Sequence, residues 1–224
     1  MALSTPSKLI VAIDTGSTTF TVAYRWSGKT VTYLVNEWPG YVPQSRDMSG
    51  SAPPTILYFP HGREPPWQRE VDMEEDTSED FDLRRKVVNF KSGLDIKNGP
   101  SYEVLNATAR YIGTSVENFA HTFTDLLLNY LFFDDQPFFC EYLQGGLKIE
   151  DITLVFAKPP GWAISTYDSF RLAALSLGFS NEQIKFISET EALMRAFFST
   201  KVTESEISKL LQVCPFQKQE AVLI

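Results

Sequence analysis

The order of the apolar segments is the feature that most constrains the fold. Three runs rich in β-branched and aromatic residues open the chain, at 8–14, 18–26 and 30–36, and short turns at Gly16 and Gly28 separate them. Such runs joined by tight turns predict an antiparallel meander of three strands.

The second half of the chain alternates between helix and strand patterns. Apolar residues recur at three- and four-residue steps from 114 to 134, which predicts an amphipathic helix. The later segments predict a strand at 151–157, a helix at 165–177 that ends at Gly178, a strand at 184–188 and a helix at 189–199. A meander followed by this alternation predicts an α/β fold with a mixed β-sheet flanked by helices.

The segment from about 37 to 82 has a different composition. It is rich in Pro, Gly, Ser and acidic residues, and a probable strand at 55–59 interrupts it. Because its acidic part lacks apolar periodicity, we expect an irregular, solvated insertion.

The charge of the chain restricts its partners and its location. The formal net charge is −8, with 20 Lys and Arg against 28 Asp and Glu. Binding to a nucleic-acid backbone depends on basic residues, so we expect no nucleic-acid partner. The amino terminus carries neither a secretory signal nor a membrane span, which predicts a cytoplasmic protein, with a nuclear location as a further option and no membrane partner.

A polar turn follows the first predicted strand. Asp14 ends that strand, and Gly16 allows the backbone to turn tightly. The amides and hydroxyls of Ser17, Thr18 and Thr19 then form a concave set of donors suited to phosphate oxygens. Since a carboxylate beside this set would repel phosphate, a hydrated Mg²⁺ is the natural partner of Asp14.

Two other interpretations of this turn stay open. In the first, it is only an ordinary hairpin turn. The string Asp14-Thr15-Gly16-Ser17 also matches the active-site signature of aspartic proteases, whose catalysis needs two carboxylates that share one proton. No second Asp-Thr-Gly or Asp-Ser-Gly follows, and a half-sized homodimeric protease would be all-β, unlike the helices predicted here.

A second block, at 151–197, runs DITLVFAKPPGWAISTYDSFRLAALSLGFSNEQIKFISETEALMRAF. It resembles the conserved block of the 70-kDa heat-shock-protein ATPases, in a form closer to the divergent heat-shock-70-like proteins. The order and spacing of the two blocks are similar to those of the actin-like ATPase superfamily, although 37–110 aligns only vaguely. The resemblance implies that 1–224 is the amino-terminal lobe of a nucleotide-binding domain, with a ribonuclease H-like fold, and that its cofactors are ATP and Mg²⁺.

The resemblance also implies roles for individual residues. Asp14 would hold Mg²⁺ through water, and Glu189 would orient the water that attacks the γ-phosphate. Lys91 would match the catalytic lysine that reaches the γ-phosphate, with a solvated surface lysine as the alternative. The phosphate turn would comprise Gly16, Ser17, Thr18 and Thr19.

Pro159 would match the hinge proline of the family, but Tyr167 stands where the chaperones have the arginine that partners this hinge. The chain ends at QEAVLI, which looks like the strand before a second phosphate loop, so we expect the second lobe to be missing. A complete chain would hydrolyse ATP, and protein clients or co-factors would be its partners. The alternative is a non-catalytic nucleotide-sensing or interaction module.

Overall fold

The computed structural model describes residues 8–36, 38, 53, 55–59, 82–95, 99–135, 137–159, 162 and 164–199. Its strands are β1 (Leu9–Thr15), β2 (Phe20–Trp26), β3 (Tyr33–Leu34), β4 (Ile56–Tyr58), β5 (Lys86–Val88), β6 (Ile152–Lys158) and β7 (Ile184–Ser188). Its α-helices are α1 (Phe90–Asp95), α2 (Pro100–Ile112), α3 (Val116–Leu128), α4 (Cys140–Gln144), α5 (Ile164–Ser176) and α6 (Glu189–Ser199).

Five of these strands form a mixed sheet in the order β3-β2-β1-β6-β7. β2 is antiparallel to both β1 and β3, so the predicted meander is confirmed, although β3 is much shorter than the run at 30–36. β6 is parallel to β1, and β7 is parallel to β6. The α/β class with a mixed sheet flanked by helices is therefore confirmed.

One face of the sheet carries the core. Alternate side chains of the central strands point into it, namely Leu9, Val11, Ile13 and Thr15 of β1 and Ile152, Leu154 and Phe156 of β6. Phe20 of β2 meets Phe123 of α3 at 5.1 Å between ring centroids, and Phe156 meets Phe170 of α5 at 6.0 Å. The period of two in the strands and the apolar stripes of α3 and α5 thus bury the same core.

The helix predicted at 114–134 begins and ends differently in the structure. Ser115 caps α3, and its hydroxyl accepts a hydrogen bond from the Asn118 amide. After Leu128 the helix widens into a π-helical turn at Asn129–Phe133. The side-chain amide of Asn129 donates to the Asp125 carbonyl, and the wider turn buries Tyr130, Leu131 and Phe132 in succession.

Parts of the segment at 37–82 belong to the core. The strand predicted at 55–59 forms β4, which pairs with β5 in a separate two-stranded sheet. Leu57 and Phe59 of the predicted strand are buried. The acidic part of the insertion up to residue 81, for which a solvated loop was expected, lies outside the described residues. Asp82 also has fixed partners, because hydrogen bonds from Arg84 and Tyr111 hold the pKa of its carboxyl well below the usual range.

Within the described ranges, none of the helices combines the length and the apolar character that a membrane span needs.

Candidate functional site

The carboxyl ends of the parallel strands bring three predicted site residues to one edge of the sheet. Asp14 lies near the end of β1, Pro159 follows β6, and Glu189 follows β7 and opens α6. The chain builds the sheet outward from β1 through β2 in one direction and through β6 in the other. In open α/β sheets, ligands bind outside the carboxyl ends of the strands, at the point from which the sheet is extended in opposite directions.

The turn after β1 is held by the segment around β4. The Thr55 hydroxyl donates to the Gly16 carbonyl at 3.1 Å, and the Thr55 amide donates to the Thr18 carbonyl at 2.8 Å. A methyl group added at Gly16 would collide with the Thr19 carbonyl oxygen, so the turn needs a residue without a side chain there. The backbone conformation of the turn at Gly16 is thus fixed by close packing and hydrogen bonds.

Lys91 reaches the same edge from α1. Asn89, between β5 and α1, has a left-handed backbone with φ of 54°, a conformation that asparagine tolerates better than most residues. Phe90 then enters the core, where it is fully buried and contacts the Phe123 ring at 5.5 Å. This anchor directs the next residue, Lys91, towards the cleft.

Lys91 forms ion pairs with both predicted acids. Its Nζ lies 2.5 Å from Glu189 Oε1 and 3.7 Å from Asp14 Oδ1. The Lys91 side chain is only 7% exposed, whereas those of Glu189 and Asp14 are 40% and 57% exposed. The solvated-lysine alternative is therefore wrong, because the ammonium is the buried member of the cluster and the carboxylates are the accessible ones.

These residues border an open cleft of about 470 Å³. Its lining residues are Asp14, Gly16, Ser17, Lys91, Ser92, Pro159, Trp162 and Glu189. Of the predicted site residues, Thr18 and Thr19 are exposed on the turn but do not line this cleft. The structure thus brings six of the predicted residues together and leaves two at the rim.

Two lining residues were not predicted from the sequence. The Ser92 hydroxyl donates to the Ser17 hydroxyl at 3.1 Å, which links α1 to the turn after β1. Trp162 is 6% exposed, its ring lies 5.9 Å from Lys91 Nζ, and it stacks on Phe170. Its indole N–H has no hydrogen-bond partner among the described residues. The signals for both were weak, namely a serine beside Lys91 and an aromatic residue just after the proline loop.

Tyr167 has partners of its own beside Pro159. Lys158 Nζ lies 4.7 Å from the centre of the Tyr167 ring, within the range of a cation–π contact. The same ring packs on Phe186 of β7 at 4.7 Å between centroids. Tyr167 therefore packs between Lys158 and Phe186 beside Pro159.

The comparisons with known proteins add no relative: no family model matches the sequence, and no curated protein matches it.

Proposed function

We propose that the cleft binds the phosphates of ATP together with Mg²⁺, on a lobe of the ribonuclease H-like, actin-like ATPase type. The observation that carries this proposal is the meeting of Asp14, Lys91 and Glu189, which come from three distant parts of the sequence, beside a glycine turn. A cleft of about 470 Å³ also lies within the usual size of small-ligand sites, roughly 300 to 1,000 Å³.

The topology supports the same proposal. An antiparallel meander is followed by two parallel strands, and this is the mixed arrangement that the order of the apolar segments predicted. The glycine turn and Glu189 lie at the carboxyl edge of parallel strands, where α/β folds carry their ligands.

The charges of the cleft fit a hydrated Mg²⁺. Asp14 and Glu189 supply two accessible carboxylates against one ammonium, so the cluster has an excess negative charge and would repel a phosphate by itself. The described residues contain no group of three or more His, Cys, Asp or Glu that could enclose a metal. Mg²⁺ usually keeps several waters and binds through one or two carboxylates and the substrate phosphates, so this donor set suits it.

In this proposal the chain contributes positioning and electrostatics. Lys91 donates hydrogen bonds to the γ-phosphate, and Glu189 accepts one from the attacking water and so orients it. The hydroxyl of Ser17 and the amides of the glycine turn bind phosphate oxygens. Bound Mg²⁺ supplies the neutralisation of charge that builds up on the phosphate oxygens during transfer.

The structure gives less support to the other two interpretations of the turn, an aspartic protease and an ordinary hairpin turn. A half-sized aspartic protease would be an all-β unit, whereas the described residues form an α/β layer with five-stranded and two-stranded sheets. Asp14 contacts a lysine instead of a second aspartate that could share its proton. An ordinary hairpin turn would not account for a buried lysine that faces two acids.

The proposal is tested by Asp14→Asn. Calorimetric titration with ATP, with and without Mg²⁺, should show that the variant loses most of the Mg²⁺-dependent gain in affinity, by about tenfold or more, because Asp14 is the more exposed of the two carboxylates proposed to hold the hydrated metal. Asp168→Asn is the matched control, since Asp168 is 46% exposed and lies outside the cleft lining. Equal Mg²⁺ dependence in the wild type and Asp14→Asn would refute the phosphate site.

A further inference from the structure

The ion pair between Lys91 and Glu189 conflicts with the roles that the proposed site gives to these two residues. Lys91 would bind phosphate and Glu189 would bind water, yet they bind each other at 2.5 Å. A buried ammonium needs an anionic partner, because an uncompensated buried charge is strongly unfavourable. In the free protein, Glu189 supplies that partner.

Asp14 also interacts with the Lys91 ammonium. Asp14 Oδ1 lies 3.7 Å from the same Nζ, so an incoming phosphate meets an ammonium whose charge is already balanced by two carboxylates. The ammonium is buried, whereas the side chains of Glu189 and Asp14 are 40% and 57% exposed. Glu189 can therefore turn away from Lys91 into water, or accept a cation, at lower cost than Lys91 can leave the cleft.

We propose that Glu189 competes with phosphate for Lys91, so that the cleft admits a phosphate group only together with a divalent cation. The inference rests on the proposed function and adds a built-in coupling between cation and phosphate. A cation beside the two acids weakens their hold on Lys91, and by thermodynamic linkage phosphate strengthens the binding of the cation to the same extent. A bare polyphosphate, without a divalent cation, binds only weakly.

The test uses pyrophosphate as the probe and the chain as it is, in calorimetric titrations with either EDTA or excess Mg²⁺. Glu189→Gln keeps the shape of the side chain and removes the competing charge. In EDTA it should bind pyrophosphate about tenfold more tightly than the wild type, because it no longer opposes the incoming anion. The gain in affinity that Mg²⁺ gives should shrink in this variant.

Glu191→Gln is the matched control. Glu191 lies in the same first turn of α6 and is exposed, and it does not line the cleft. The change removes the same charge from the same helix end, so its affinity in EDTA should stay within about twofold of the wild type. Glu189→Ala provides a second way to remove the carboxylate if the glutamine variant folds poorly.

The possible results separate this inference from the proposed function. If the wild type binds pyrophosphate with Mg²⁺ but Glu189→Gln and Glu189→Ala bind it no more tightly in EDTA, the competition is refuted and the phosphate site stands. A gain of the same size in Glu191→Gln would likewise refute it, as an effect of net charge. If the wild type does not bind pyrophosphate even with Mg²⁺, both proposals fail.

Discussion

At the scale of single residues, the cleft depends on groups whose environments differ sharply. Lys91 is buried and charged, Trp162 covers it with an aromatic face, and Asp14 and Glu189 remain open to solvent. A cation beneath an indole ring and beside two acids has little freedom to move. Its position is thus largely set before any ligand arrives.

Gly16→Ala tests whether the turn after β1 needs its present backbone. The added methyl group meets the Thr19 carbonyl oxygen, which is backbone and cannot swing away, so we expect a loss of roughly 1 to 3 kcal/mol in the free energy of unfolding. Pyrophosphate affinity with Mg²⁺ should fall as well, because the donors of the turn move. Urea unfolding and calorimetry measure the two effects.

Gly28→Ala separates loss of stability from loss of the site. Gly28 has a φ of +78° and open space around it, so alanine strains the backbone by about 1 kcal/mol without touching the cleft. We expect unchanged pyrophosphate affinity in this control. Parallel losses of affinity in the two variants would show that the turn at Gly16 has no specific role.

The residue pattern by itself predicted only the polar turn that begins at Asp14, and the roles of Lys91, Pro159 and Glu189 were predicted through the resemblance. Asp14 lies near the end of a strand, and Pro159 and Glu189 each follow one, so their common edge follows from the strand directions. Lys91 lies in a short helix after the insertion, and its partners are fixed by tertiary packing, which a single sequence does not encode in any local period. Ser92 and Trp162 were missed for the same reason.

At the scale of elements, α1 holds Lys91 and Ser92 against the cleft, and α2 holds α1. The contact depends on Gly93, whose missing side chain leaves room for Leu105 of α2. Leu105 is 5% exposed and the Ser101 carbonyl lies close by, so the two helices have little space between them. A change in the packing of α1 against α2 should therefore shift Lys91 and Ser92 in the cleft.

Gly93→Ala is expected to destabilise the fold by roughly 1 to 3 kcal/mol, because the new methyl group overlaps the Leu105 side chain. In a Leu105→Ala background the overlap with that side chain is gone and only the tight contact with the Ser101 carbonyl oxygen remains, so the same change should cost less than half as much. Urea unfolding of the wild type, both single variants and the double variant provides the measurement. Strictly additive effects would contradict close packing between α1 and α2.

The elements that the sequence analysis missed are those with narrow apolar faces. α2 has clear end signals, with a proline at its first position and Gly113 in a left-handed conformation after its last residue. Among its described side chains, however, only Leu105 and Ala109 are buried. So small a stripe gives weak periodicity, whereas α3, which buries seven residues, was predicted from its pattern.

At the scale of the whole molecule, the five-stranded sheet organises the core and the site together. Its α/β class followed from the order of the apolar segments, since a meander and an alternation of strands and helices leave few arrangements. The position of the β4–β5 pair did not follow, because both strands are three residues long and lie beside a segment of polar composition.

Hydrogen exchange should show that the strands of this sheet differ in the protection of their amides. β1 lies between β2 and β6 and its amides are paired on both sides, whereas β3 is a two-residue edge strand with exposed side chains. We expect the slowest amide exchange in β1 and β6, and exchange at least about tenfold faster in β3. Mass spectrometry of exchanged peptides measures this, and equal protection of β1 and β3 would contradict the strand order.

The pairing of β1 with β6 has a consequence for synthesis in the cell. Val11 lies beside Leu154 in the sheet, although the ribosome makes the two residues far apart in time. At roughly 5 to 20 residues per second, translation of the intervening chain takes on the order of ten seconds. Until then the nascent β1–β2 hairpin presents a row of unpaired amides and carbonyls on β1, next to apolar side chains. The newly made hairpin is therefore open to unwanted pairing, and a holding chaperone would protect it until β6 emerges.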